Sequence, residues 1–205
     1  MKNRYTSAML LCFALFLLAA CDIKIRSTVN LSDIFSKTST VAMSDLLINV
    51  SSCSESDIQQ AIGRVAKNDM KAKYKSCKNE DMDSYAVFSM PLVIVKNDNE
   101  EQNKGDFYLS TKDDKLYIHT SGRMSDLLAT GDGTLDIGEV SFELVNDTQE
   151  NVKINVQSVF IDGQAVLART MDIAPYESVG IRLSDVTRKI LERPNVALPI
   201  VKFVR

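Results

Sequence analysis

The sequence predicts an α+β fold, with an α/β half in the N-terminal part and an antiparallel β-sandwich in the C-terminal part. Two observations support this fold class. Apolar residues at helical spacing occur early, at Ile58, Ala61, Ile62 and Val65, whereas the last third consists of short strand-like segments with a turn signal about every ten residues. The chain is 45% hydrophobic and has no low-complexity tract, so it can bury a core.

The first residues have the three-part pattern of a secretory signal. Residues 1–7 contain Lys2 and Arg4 and no acid, and the thirteen residues from Ala8 to Ala20 are apolar and end in small side chains. A membrane-spanning helix needs about 20 apolar residues, so this run is too short to span a bilayer. Residues 1–20 are therefore predicted to be a cleaved signal peptide.

The end of this apolar run, Leu18-Ala19-Ala20-Cys21, resembles the lipobox of bacterial lipoproteins. The resemblance implies that Cys21 is acylated, becomes the first residue of the mature protein and attaches it to a lipid bilayer. An acid after the cysteine, here Asp22, resembles the sorting signal of enteric-type lipoproteins and implies the periplasmic face of the inner membrane. The outer membrane is the alternative location, because other bacteria read other positions.

The charge of the chain argues against a nucleic acid partner. The chain has 24 basic and 27 acidic residues, a formal charge of −3, and loses two bases and no acid with residues 1–20, which gives −5. It contains no basic cluster that could pair with phosphates.

Residues 21–125 are predicted to form the N-terminal α/β domain. Ile23, Ile25 and Val29 alternate with polar residues in a first strand, and Ser54 with Asp57 is a capping box that begins a helix. The remaining predicted elements are a turn of helix at Leu31–Lys37, strands within Val41–Val50 and Ser84–Lys96, and a hairpin of Phe107–Thr111 and Leu116–Thr120.

Two cysteines remain for a disulfide. Cys12 leaves with the signal peptide and Cys21 carries the lipid, so Cys53 and Cys77 are expected to bond in an oxidising compartment. A continuous helix over residues 54–76 would hold its ends about 35 Å apart, whereas bridged Cα atoms lie within about 7 Å. The helix must therefore end early, near Asn68-Asp69.

Residues 126–205 are predicted to form the β-sandwich domain. Three segments, Phe142–Asn146, Ile161–Gly163 and Ile173–Val179, resemble the immunoglobulin-like modules of bacterial envelope proteins, which implies a sandwich. A helix over Ser184–Leu191 would depart from that pattern. The predicted strands are Val140–Val145, Val152–Ile161, Ala165–Ile173, Val179–Leu183 and Val196–Val204.

The sequence gives no catalytic residue and no cofactor site. His119 is the only histidine, and it lies in an alternating segment that predicts a half-exposed strand residue. The chain contains neither a Gly-x-Ser-x-Gly elbow nor a phosphate-binding glycine loop. A zinc site would need free thiolates, which an oxidising compartment disfavours.

One metal candidate arises from the segment Asp132–Glu139, which resembles the second half of an EF-hand calcium loop. Asp132, Asp136 and Glu139 would be ligands, but Leu128 and Thr130 stand where the first half needs carboxylates. The preferred interpretation is a polar turn that enters a strand, with calcium binding as the alternative.

These observations predict a membrane-anchored periplasmic lipoprotein with a noncatalytic binding role toward an envelope protein. One alternative is an envelope exclusion or protection lipoprotein encoded by a phage or plasmid. The other is a glycan hydrolase that uses carboxylates alone, which would require two facing acids about 5 to 10 Å apart.

Overall fold

The computed structural model describes residues 22–96, 105–129, 136–193 and 196–204. Strands dominate these ranges. The strands are β1 (Asp22–Asn30), β2 (Thr40–Val50), β3 (Lys73–Glu80), β4 (Asp83–Val95), β5 (Phe107–Lys112), β6 (Lys115–Thr120), β7 (Asp136–Val145), β8 (Val152–Ile161), β9 (Gln164–Ile173), β10 (Ser178–Leu183) and β11 (Ala197–Phe203). The helices are α1 (Leu31–Phe35), α2 (Glu55–Lys67), α3 (Gly122–Ala129) and α4 (Asp185–Leu191).

The strands form one sheet that closes into a nine-stranded barrel. Its order is β10, β7, β1, β2, β4, β5, β6, β11 and β8, and β8 pairs with β10 to complete the ring. Two further strands extend the sheet outside the ring, β3 on β4 and β9 on β8. A closed ring leaves none of its own edges open, which removes most of the unpaired backbone of a flat sheet.

The predicted fold class, an α/β half followed by a β-sandwich, was wrong. β1 pairs in parallel with β7, from Asp22 opposite Asp136 to Asn30 opposite Val145, so the first strand of the chain lies beside a strand from its last third. β6 likewise pairs with β11. The pairings join both predicted halves into one sheet around one core, because each half supplies only part of the ring and neither closes alone.

The core fills the interior of the barrel. Alternate residues of β1 point inward, and Ile23, Ile25 and Val29 are fully buried. The one polar inward position of β1, Ser27, lies opposite Ser44 of β2, and their hydroxyl oxygens are 2.6 Å apart. The buried hydroxyls thus satisfy each other, as burial in an apolar interior requires.

The alternation of buried and exposed residues along β8 shifts by one residue partway along the strand. Ile154 and Val156 are buried before Ser158, and Val159 and Ile161 are buried after it. Ser158 has a φ of 54°, so the strand bends there and the alternation shifts by one residue. One edge of β8 pairs with β9 on both sides of Ser158. On the other edge, the residues before Ser158 pair with β11 and those after it pair with β10.

The predicted disulfide and helix break are confirmed. Cys53 and Cys77 are bonded, with their Cα atoms 5.7 Å apart. α2 ends at Lys67, with Asn68 as its C-cap, and Ser54 caps its N-terminus by accepting a hydrogen bond from the backbone N–H of Asp57. The chain then turns back, so that β3 brings Cys77 to the start of the helix.

The predicted hairpin between β5 and β6 is also confirmed. Asp113 and Asp114 form its two-residue turn with φ values of 50° and 58°.

No helix among the described residues is long and apolar enough to cross a membrane.

Candidate functional site

Asp22, the predicted sorting residue, lies in the first strand that the structure describes. Cys21 lies outside the described residues, and Asp22 is the first residue of β1. Within the described part of the chain, the Asp22 carboxylate makes no hydrogen bond and no ion pair.

The two calcium candidates that the structure describes, Asp136 and Glu139, each contact a basic side chain. Asp132 lies outside the described residues. Asp136 pairs with Lys189, 3.1 Å away, and Glu139 accepts a hydrogen bond from Arg26 at 2.9 Å. The segments that the structure describes hold no group of three or more residues arranged to bind a metal ion.

His119 lies on the outer surface of β6 and is half-buried, as predicted. Its Nε2 atom is 2.8 Å from the hydroxyl oxygen of Ser110, and its ring stacks on Tyr108 with the centroids 4.4 Å apart. The neighbouring strand β5 thus holds the imidazole on both its edge and its face.

A concave surface on the outside of the barrel is the first candidate binding site. This outer groove crosses strands β10, β7, β1, β2 and β4, between the β8–β9 turn and β3, and has a volume of about 620 Å³. Volumes of this size are usual for ligand pockets. Its charged and aromatic lining residues include Arg26, Asp45, Lys75, Glu143, Phe160 and Arg182.

Arg26 is the centre of a charge network beside the groove. Its Nη1 atom is 2.6 Å from Glu80 Oε1, and its Nε atom is 2.9 Å from Glu139 Oε1. Lys78 and Lys24 also pair with Glu80, at 2.7 Å and 3.5 Å. Lys24 and Arg26 point outward because the residues that flank them, Ile23, Ile25 and Ser27, point into the core.

The network fixes the charges of its members. Hydrogen bonds from Arg26 and then from Lys78 lower the pKa of Glu80 to about 2. Burial alone would lower the pKa of Arg26, but its hydrogen bonds to Glu80 and Glu139 raise it. Burial opposes ionisation of Glu139 as well, yet the hydrogen bond from Arg26 holds the pKa of that carboxyl below its ordinary value.

We expect Glu80 to make the stability of the barrel depend on acid pH. Its pKa is 4.5 when unperturbed and about 2 in the fold, so its stabilising contribution is complete above pH 4.5 and is lost as the pH falls toward 2. Glu80→Gln should therefore show a smaller loss of stability between pH 6 and pH 3 than the parent chain, measured by urea unfolding.

The control for this experiment is Glu143→Gln. The Glu143 carboxylate accepts a hydrogen bond from Ser178 at 2.9 Å and has no ion pair within the described residues. The Glu143→Gln variant should keep the acid dependence of the parent chain. Equal acid dependence in Glu80→Gln and in the parent chain would contradict the assignment.

Arg182 is the cation of the outer groove that remains open to a ligand. Lys75 pairs with Asp45 at 3.1 Å, and Arg26 has its two acids. Arg182 stacks on Phe160, with its guanidinium carbon 4.0 Å from the ring centroid, and pairs with no carboxylate among the described residues. A stacked guanidinium keeps its donor edge free for a carboxylate or phosphate.

A second concave surface, the end pocket, lies where α1, the β5–β6 turn, the β7–β8 loop and the end of β11 meet. It has a volume of about 660 Å³ and contains the Lys96 side chain. Neither site was predicted from the sequence. The alternation of Lys24 and Arg26 with apolar residues was the available signal for the network, but it did not show which acids face those cations.

The comparisons with known proteins identify the family. No curated protein and no solved structure matches the chain. One family model, described as a domain of unknown function (DUF7424), matches residues 23–203. This match covers all of the barrel strands except Asp22, the first residue of β1, and the chain therefore belongs to the DUF7424 family.

Proposed function

We propose that the protein is a lipid-anchored protein of the bacterial cell envelope, held on the periplasmic face of the inner membrane, with a noncatalytic role in binding an envelope protein. The observation that carries the proposal is the position of β1. Its first residue, Asp22, directly follows the cysteine of the lipobox-like sequence, so a lipid on Cys21 would hold this end of β1 beside the bilayer.

The disulfide supports an extracytoplasmic location. Cys53 and Cys77 are bonded in the fold, and bonds of this kind persist mainly in oxidising compartments. Under this proposal Cys12 leaves with the signal peptide and Cys21 carries the lipid, so each of the four cysteines has a role.

Two acids beside the outer groove are unsuited to acid catalysis. Its acidic neighbours Glu80 and Glu139 both face Arg26, and the pKa of each is lowered. A general acid needs a pKa near the working pH, so neither carboxyl suits proton donation at neutral pH. Arg182, by contrast, lines the groove with its guanidinium stacked on Phe160. A positioned cation of this kind can recognise an acidic side chain or a chain terminus.

The anchor is tested by replacing the cysteine. Cys21→Ala should abolish incorporation of labelled palmitate and leave an uncleaved or unlipidated chain, because the thiol is the site of acylation. Asp22→Ser should keep the lipid and move the protein toward the outer membrane in an enteric host. Palmitate labelling and membrane fractionation measure the two results. Label retained by Cys21→Ala would disprove the anchor, and unchanged fractionation of Asp22→Ser would disprove the sorting signal.

The binding role is tested by crosslinking in intact cells. The parent lipoprotein should capture a reproducible envelope protein, and Arg182→Glu should reduce that capture strongly because it reverses the charge that faces the groove. Arg169→Glu on the exposed strand β9 is the matched charge-reversal control and should capture as the parent does. Failure of the parent chain to capture any partner, or equal capture by Arg182→Glu, contradicts this role of the groove.

A further inference from the structure

The end pocket has features that the outer groove and the anchor do not explain. Its walls come from four separate parts of the chain, represented by Phe35, Lys112, Val152 and Phe203. A concave site of about 660 Å³ is large enough for a small organic molecule. The pocket also lies away from Asp22, because α1 directly follows β1 and nine strand residues span roughly 25 Å.

One wall of the end pocket is apolar. Phe35 and Phe203 meet edge to face, with their ring centroids 5.0 Å apart. Phe203 is buried, whereas 43% of Phe35 remains exposed, and 40% of Val204 is exposed beside it. Covering exposed apolar groups in a concavity with a ligand removes apolar surface from water, which favours binding.

The opposite feature of the pocket is a partly buried lysine, Lys96. The Lys96 ammonium donates hydrogen bonds to the backbone carbonyl of Ile34 and, at 3.4 Å, to the hydroxyl of Thr111. It pairs with no carboxylate in the described part of the chain. Burial lowers the pKa of Lys96, although the charge of Asp33 opposes this effect. A partly buried cation of this kind is stabilised by any anion that reaches it.

We propose that the end pocket binds an amphipathic organic anion, with a carboxylate or phosphate group on the Lys96 ammonium and a short apolar chain against Phe35 and Phe203. The two protein features are complementary to the two parts of such a ligand. The anion pairs with an ammonium that makes no ion pair among the described residues, and the apolar chain covers the exposed aromatic wall. This site does not depend on the lipid anchor or on the role of the outer groove.

The proposal is tested by titration with octanoate and octyl phosphate, which share the tail and differ in the anionic group. The protein used begins at Asp22 and so contains every strand of the closed ring. Acetate has the charge without the tail, and octanol has the tail without the charge. Calorimetry should show binding of at least one of the two amphipathic anions at a single site, and weaker binding of both partial probes. No binding of either anion, or binding of octanol as tight as that of octanoate, overturns the proposal.

Two variants assign the site to its residues. Lys96→Met should weaken binding of the anion about tenfold or more, the effect expected for one charge-assisted hydrogen bond, and should leave octanol binding unchanged. Phe35→Ala should weaken both the anion and octanol, and because this side chain is half exposed the variant should fold normally.

Lys112→Met is the matched control, since Lys112 is an exposed lysine on the rim of the same pocket. It should weaken binding of the anion much less than Lys96→Met does. If Lys96→Met and Lys112→Met reduce the affinity equally, the anion is attracted by general charge and the assignment to Lys96 is wrong. If Lys96→Met does not fold, retention of parental affinity by Phe35→Ala still overturns the proposed site.

Discussion

Replacing Cys53 and Cys77 together by serine should lower the free energy of unfolding by about 3.5 kcal/mol. The bridge closes a loop with a sequence separation of 24 residues, and the chain-entropy account gives this value for a loop of that length. For a domain of this size the change corresponds to a fall of about 10 °C in the melting temperature. Thermal unfolding of the mature chain measures it.

The effect should reach beyond the loop itself because of where the bridge lies. It joins the start of α2 to β3, and β3 pairs only with β4 among the described strands. Most residues of β3 are exposed, so little buried apolar surface holds this strand on the barrel. We expect β3 to exchange its amide hydrogens faster in the variant, with the ring strands less affected.

The reduced parent chain is the control for this experiment. Reduction of the bridge should produce the same fall in melting temperature as the double substitution, since both remove the same constraint. Each single variant, Cys53→Ser and Cys77→Ser, should be destabilised by about as much as the other. Equal melting temperatures for the oxidised and reduced parent would show that the bridge does not contribute to stability.

The sequence allowed correct prediction of elements whose signal is local. β1 and β4 were predicted from apolar residues at strand spacing, and α2 from its capping box and its helical period. The bridge followed from elimination, because only Cys53 and Cys77 remained as free thiols after the signal and the lipid were assigned. Each of these inferences needs nothing from distant parts of the chain.

The strand partners could not be predicted, and this caused the wrong fold class. The parallel pairing of β1 with β7 connects residues more than 100 positions apart, and an alternating strand looks the same whether it joins a sandwich or a closed ring. β3 was missed because its sequence, Lys73–Glu80, is polar on both faces. Its exposure in the fold explains the absence of an apolar alternation.

The candidate sites were hidden for the same reason. Arg26 meets Glu80 and Glu139 at separations of 54 and 113 residues, which no local pattern reports. Lys96 follows the last residue of β4, a place where a charged residue is ordinary. Only the fold brings it beneath the carbonyl of Ile34 and beside the aromatic wall of the end pocket.

Asn146→Ala should be the second strongly destabilising change, with a loss of about 3 to 5 kcal/mol. Asn146 is fully buried after the last residue of β7. Its amide nitrogen donates to the carbonyl oxygens of Glu150 and Ile173, both at 2.8 Å, and its amide oxygen accepts from the backbone N–H and the hydroxyl of Thr148, at 3.1 Å and 2.6 Å. Alanine would leave these partners without a bond, at about 1 to 3 kcal/mol for each group that stays buried.

The backbone of Asn146 makes two more bonds that alanine would keep. Its N–H donates to Glu177 and its carbonyl accepts from Tyr176, so the loop after β9 is attached to the same residue. The variant should therefore still fold into the closed ring, with lower stability and with faster amide exchange in the β7–β8 and β9–β10 loops.

Two further variants make this prediction specific. Asn146→Asp retains the size of the side chain but replaces its donor with a second acceptor, which would face the carbonyls of Glu150 and Ile173, so it should destabilise at least as much as alanine does. Asn155→Ala removes a solvent-exposed hydrogen bond to Thr170 and should change stability by no more than about 0.5 kcal/mol. Urea unfolding compares the three variants. If Asn146→Asp is as stable as the parent, the donated bonds do not hold the loops together and the predicted role of Asn146 is wrong.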